Sequence, residues 1–438
     1  MRTKEQLLKA VYKAIDAQRD KIIAIGERVW KNPEPGYREY KTSELARKTL
    51  EDLGLKVSGN YSITGMRADL PGASQGPKVA ILGEMDSLLL PTHPECDPET
   101  GAVHACGHNA HITGMLGAAI GLVNAKAAKE VAGTVAFIPC PAEECIELGW
   151  RNELIKQGKI KALGGKASMI LEGVFDDIDI AMMNHVGGGY SAAGHNGFVM
   201  KHVAFKGTST HAAYPQASNN ALSAANLALH GLALLRETFS GDSYIRAHGI
   251  LTNGGDTVNI IPDTATLEYQ LRAETLDKIK NLSAKFDRCV KGCASALGCH
   301  VDITTMHGYL PIITDPDLLT IYSDVVHSLQ PEVTVAEKQG FSMGSTDMGD
   351  VSQLLPAIHG TCNGARGTGH GISYGIDNPE LAYIENAKIL AGMAVELLYG
   401  DAESGRKIAA RKPSMMSIEE YKDIVRGFST TESTQSQE

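Results

Sequence analysis

The segment HACGHNAH places His104, Cys106, His108 and His111 within eight residues. A cysteine thiolate and neutral imidazoles are ligands for zinc and similar borderline transition metals, and Gly107 lets the backbone turn so that Cys106 and His108 can face one ion. The alternative is a histidine-rich helix start whose polar side chains are satisfied within the protein. His111, one helical turn on, reads as such a helix-face residue. PAEE supplies the second group. Adjacent carboxylates repel unless a cation or a proton separates their roles, so of Glu143 and Glu144 one can serve as metal ligand and the other as general base. Adjacent glutamates are also common on solvated helices. His185 in MMNHVGGG follows an apolar run and precedes glycines that leave open space, and His370 stands in the glycine-rich GTGH.

Apolar periodicity predicts the elements that must position these residues. Residues 42–54 read as an amphipathic helix, PKVAILGEMD as a buried strand and HITGMLGAAIGLV as a helix; GTVAFIP, KASMILEG and DIAMMNHV follow as strand, helix and strand. Such alternation predicts an α/β fold with a mostly parallel sheet covered on both faces, which binds ligands beyond the carboxyl ends of its strands. Asp86, the pair Glu143 and Glu144, and His185 fall at or just past those ends, while Cys106 and His108 sit where a loop enters a helix. In the middle of the chain the order becomes βαββαβ, a small sheet with helices on one face, placed at 197–310. Residues 1–196 and 311–438 then form one discontinuous metal-binding domain. The polar tail STTESTQSQE has no apolar face and reads as disordered.

Composition narrows the partners. A formal net charge of −10 argues against nucleic acid or an anionic membrane surface. The first thirty residues alternate charged and apolar positions at helical spacing without the apolar core of a secretory signal, and no stretch is apolar over the ~18 residues that a membrane span requires. A cytoplasmic location is the resulting expectation, with the eight cysteines kept mostly as packing thiols.

Taken in order, MDSL, HACGHNAH, PAEE, MNHV, GTSTHAAYP, NIIP and the downstream histidine resemble the dinuclear metallopeptidase family of aminoacylases, glutamate carboxypeptidase, hippurate hydrolase and plant auxin-conjugate hydrolases. GSTDMGDVSQLLPAIH and HGILTNGGDTVNIIPDTATLEYQLRA look most like the branch of aminobenzoyl-glutamate hydrolase and the β-alanyl-lysine dipeptidases. The resemblance implies a phosphorylase/hydrolase-like catalytic domain with an inserted ferredoxin-like dimerisation or lid domain. It implies two divalent metal ions, zinc or manganese, with cobalt or nickel also fitting a mixed sulfur, nitrogen and oxygen site. Cys106 becomes a thiolate able to bridge them, and His108, Glu144, His185 and His370 become the remaining ligands. Glu143 becomes the general base, and Asp86 a carboxylate that holds a ligand imidazole in its useful tautomer. In the middle domain His211 would donate to the substrate carbonyl, Asn259 would add a polar contact, and Arg272 would clamp the substrate carboxylate.

The resemblance further implies a homodimer in which His211 serves the partner's site. The activity it implies is hydrolysis of a small amide with a free carboxylate, aminobenzoyl-glutamate-like or β-alanyl-dipeptide-like, by metal-activated water. The alternative is a catalytically inactive, metal-dependent binding protein on the same fold. Three features depart from the family pattern. Asn109 replaces an aspartate, Glu84 stands where some relatives have a histidine ligand, and CIELGWRNELIKQGKIKAL is an extra stretch after PAEE.

Overall fold

Val79, Ala80, Ile81 and Leu82 are fully buried, as expected of a strand covered on both faces, and they place Ser74–Glu84 inside a six-stranded sheet. In this computed structural model, which describes residues 2–241, 243–336 and 341–434, the sheet runs in the order 57–61, 65–71, 132–140, 74–84, 180–186, 357–362. The last four strands are parallel, and the first two form an antiparallel edge. Three of the parallel strands are those predicted from apolar runs. The outer edge strand, Val57–Tyr61, escapes a periodicity reading because it buries none of its side chains. Helix His108–Asn124 is buried all round through residue 122, and helices Lys4–Asp16, Arg19–Trp30 and Asn386–Leu398 pack on it. The sheet and these helices belong to one compact unit, Met1–Gly194, Ile312–Ser342 and Asp347–Ser417.

A second unit comprises His195–Pro311, Met343–Thr346 and the chain from Ile418 onward. Its strands follow the predicted βαββαβ order and pair antiparallel as 246–253, 264–273, 197–206, 300–309. Val203, Phe205, Leu267, Phe286 and Val301 form its core with residues of helices Ala221–Leu235 and Leu276–Ala296. The polar tail departs from expectation: Thr430–Ser433 adds a fifth strand beside His300–Tyr309, with Asp302 opposite Ser433 and Thr305 opposite Thr430. It needs no apolar face, because an open sheet edge supplies backbone partners and threonine suits a strand. The rest of the tail, 435–438, lies outside the described residues. All eight cysteines are free thiols. Among the described residues no helix is long and apolar enough to cross a membrane.

The start of helix His108–Asn124 is set by Gly107, which caps it at φ +83°. That region disfavours any residue with a Cβ, and a Cβ here would lie 2.3 Å from both Val186 Cγ1 and Tyr374 Oη. Gly107→Ala is therefore expected to cost about 1–3 kcal/mol. Urea unfolding of the full chain measures this, and an unchanged midpoint would contradict the reading.

Candidate metal centre

Three of the four parallel strands deliver chemistry at or just past their carboxyl ends. Strand 74–84 ends in Glu84 and leads to Asp86, strand 132–140 leads through Pro141 and Ala142 to Glu143 and Glu144, and strand 180–186 carries His185. Two non-glycine residues of the site lie in the left-handed region, Ala142 at φ 51° and His370 at φ 62°. Such positions persist only when their surroundings fix them. Ala142 donates its N–H to Glu39 Oε1 at 2.8 Å and accepts from Gly165 N at 3.1 Å, while His370 N donates to Ala105 O at 2.8 Å. The turn into PAEE and the loop carrying His370 are thus locked by hydrogen bonds.

The side chains converge. Cys106, His108 and His185 offer ligand atoms within 4.8 Å of one another, and so do Cys106, Glu144 and His370. Cys106 is common to both groups. Cys106 Sγ lies 3.5 Å from His185 Nε2, and His370 Nε2 lies 3.2 Å from Glu144 Oε1. His185 Nδ1 sits 2.9 Å from the Val186 carbonyl, so it donates there and Nε2 keeps its lone pair toward the thiol. Asp86 joins two ligands. Its Oδ1 accepts from His108 Nδ1 at 2.9 Å, and its Oδ2 accepts from Glu144 N at 2.9 Å. His108 Nε2 is left buried without a hydrogen bond, and Glu144 Oε1 has the His370 imidazole 3.2 Å away. An unsatisfied buried imidazole nitrogen beside a thiol, in a sulfur, nitrogen and oxygen donor set, is what a divalent cation would satisfy. The residues present therefore fit such ions.

Electrostatics reinforce this. Burial opposes ionisation of the Cys106 thiol, but His185 and His108 overcome it and hold its pKa well below the ordinary value. Burial, then the neighbouring Glu84 and Glu144, push Glu143 well above the carboxylate range. Burial and the Cys106 thiolate raise Glu144 against the pull of His370. Hydrogen bonds to Cys106 and Glu144 raise His370 to about 11. In the absence of a cation the site holds acids reluctant to ionise together, which is the condition a metal ion reverses.

Beneath these residues lies a group that local sequence does not announce. Glu84 Oε2 accepts from His111 Nδ1 at 2.7 Å, Glu84 Oε1 takes the ammonium of Lys166, and that ammonium also meets Asp347. His111 Nε2 accepts the Val186 N–H at 3.1 Å. With both ring nitrogens engaged, His111 is scaffold, as its helix-face position suggested. Glu84, unassigned from sequence, is the hub of this network. Asn109 donates to the Tyr383 hydroxyl at 2.9 Å, inside the helix packing. The extra stretch after PAEE folds as helix Leu148–Lys156, pinned by the buried Arg151, which donates to Leu163 O at 2.8 Å and lies over the Tyr37 ring.

His211, Asn259 and Arg272 belong to the second unit. His211 bridges Ile260, and Ala212 N donates to Asn259 O at 2.9 Å, which brings the first two segments together. Arg272 spends two nitrogens on Gln270 Oε1, at 2.9 and 2.7 Å, and a third on Ser345 Oγ at 3.2 Å.

The chain is similar to known proteins over most of its length. The chain is 30% identical over 420 residues to the Xaa-Arg dipeptidase of Mus musculus, covering 91% of this chain and 90% of that protein. It is 28% identical over 324 residues to one of the subunits of the p-aminobenzoyl-glutamate hydrolase of Escherichia coli, covering 70% of this chain and 63% of that protein. Its fold matches the crystal structure of a dinuclear metal-binding peptidase from Bacillus subtilis with a TM-score of 0.65 at 21% identity, over 87% of this chain and 99% of the other. The profile of peptidase family M20/M25/M40 matches residues 80–398, from the strand that ends at Glu84 to the last residues of helix Asn386–Leu398. The chain belongs to peptidase family M20/M25/M40.

Proposed function

We propose that this chain hydrolyses the amide bond of a small N-acyl amino acid or dipeptide-like amide, using two divalent cations and water. The observation that carries this reading is Cys106, one thiol shared by two ligand groups, with Glu143 beside them. His108 and His185 would complete one cation position, and Glu144 and His370 the other. When bound, such cations supply Lewis acidity, polarising a carbonyl and lowering the pKa of water toward neutrality. Glu143, whose Oε2 lies 3.8 Å from His108 Nε2, would take the proton of the attacking water and return it to the leaving amine. Asp86 keeps the His108 proton on Nδ1. Because water is the nucleophile, Cys106 forms no acyl intermediate. A binding protein would have no use for Glu143, which weighs against an inactive reading.

The names of the relatives cover Xaa-Arg dipeptides and p-aminobenzoyl-glutamate, which share an amide next to a free carboxylate. Arg272 is assigned to that carboxylate, and His211 with Asn259 to the amide carbonyl. Zinc suits the thiolate and imidazole donors and manganese the carboxylates, with cobalt or nickel chemically acceptable. The free thiols accord with a cytoplasmic setting. A homodimer is proposed through the second unit, whose strand 246–253 is a sheet edge carrying exposed Ile250 and Leu251, with Leu227 and Leu234 exposed on helix 221–235.

The function is tested by releasing free amine from a panel of N-acyl amino acids and dipeptides with manganese or zinc present. Activity is expected to vanish on full chelation and return with metal, and turnover undiminished by chelation would refute it. Glu143→Gln is expected to keep its metal while losing about 10²–10⁴-fold in kcat, whereas Glu144→Gln loses metal affinity. Metal analysis of both purified variants separates these outcomes, and equal metal loss in both would reverse the assignment. Sharing of His211 across the dimer predicts that His211→Ala and Glu143→Ala, each inactive, regain roughly a quarter of wild-type activity when co-expressed, since random pairing leaves one intact site in half of the dimers. No recovery, with mixed dimers shown to have formed, would place His211 in its own subunit's site.

A further inference from the structure

Lys166 is in an unusual place. It is fully buried at the start of helix Gly165–Leu171, the end of a helix dipole that disfavours cations, and lysine is rarely buried without a partner. Its partners explain it. The ammonium meets Glu84 and Asp347, and its own backbone N–H donates to Asp347 Oδ2 at 2.8 Å. Glu84, Glu143 and Asp347 bring carboxylate oxygens within 4.8 Å of one another, a buried group that could itself hold a cation. His108 Nε2, which makes no hydrogen bond, lies beside it, 3.4 Å from Glu84 Oε2 and 3.8 Å from Glu143 Oε2. Three acids and a lysine from four segments thus meet two histidines of one helix on the floor of the site.

We infer that Lys166 is a positioning residue, a tethered cation that occupies the Glu84–Glu143–Asp347 group in place of a metal ion and thereby confines divalent ions to the two groups that share Cys106. By offsetting part of the charge of Glu84 and Asp347 from within the chain, it keeps Glu84 turned onto His111 and leaves Glu143 to act on water. The same charge fixes three segments that are distant in sequence: the end of strand 74–84, the helix start after the extra stretch, and the turn at Asp347. A purely structural tie would stabilise the fold without affecting how many cations bind.

This inference rests on the proposed metal-dependent function, and counting ions separates the two. Full-length wild type and Lys166→Met are equilibrated with manganese, dialysed, and their manganese per chain is measured by plasma mass spectrometry. Lys166→Met is expected to carry about one more ion than wild type, and to lose about tenfold or more in kcat with little change in KM, because Glu143 is then engaged by the added ion. Lys166→Met/Asp347→Asn, which removes one of the three carboxylates, is expected to lose the extra ion. Should Lys166→Met be too unstable to dialyse, its unfolding temperature must rise with manganese over a range in which the wild type no longer responds. A manganese count in Lys166→Met equal to or below that of the wild type, or in the unstable case no added response, overturns the inference. A wild type without manganese or any other divalent ion would defeat the proposed function instead.

Discussion

The two oxygens of Asp86 join the parts of this site. One holds the imidazole of His108 at the start of the central helix, and the other holds the backbone N–H of Glu144 at the exit of the neighbouring strand. Asp86 is itself wholly buried, so each bond is made in a medium that strengthens it and penalises its loss. Through one carboxylate, a strand end, a helix start and a second strand end acquire a fixed mutual geometry. The tautomer of His108 follows from the same contact, since the ring must donate at Nδ1 and present a lone pair at Nε2.

Charge is the second constraint. Glu84, Asp86, Glu143, Glu144 and Asp347 are all buried in one place, and removing an ion from water costs several kcal/mol unless it is paired. Glu84 and Asp347 have Lys166, and Asp86 has His108. Burial and Glu84 raise the pKa of Asp347 to about 6 against the pull of Lys166, a sign of how crowded the acids remain. Glu143 and Glu144 face the shared thiol and imidazoles, where added positive charge has the most to offset. A sheet that gathers acids at one edge thus creates both the need for cations and the ligands that hold them.

The glycines and strained residues belong to the same design. Gly107 turns the chain so that Cys106 and His108 flank one point, and Gly165 leaves room for the carbonyl of Pro141, which a Cβ would meet at 1.7 Å. Ala142, held left-handed by Glu39, aims the next two residues at the centre. Glu39 is fully buried, and burial with the nearby Asp86 raises its pKa to about 7. These are backbone devices, and they let ordinary side chains reach a common point without long reach of their own.

The sequence by itself determined the alternation of apolar strands and helices, the change of rhythm to βαββαβ, and the positions of Cys106, His108, Glu143, Glu144 and His185 at strand ends or a helix start. These were legible because periodicity and motif spacing are local properties. Burial on both faces left the same imprint in Val79–Leu82. Tertiary structure alone decided the edge strand 57–61, which buries none of its side chains, and the strand at Thr430–Ser433, which exists because residues 300–309 offer it an edge. It alone decided that Lys166, in a helix that looks apolar, and Asp347, 181 residues later, share one buried ion pair around Glu84. No local pattern encodes such a meeting, since the energy that makes it favourable arises only when distant segments exclude water from the same charges.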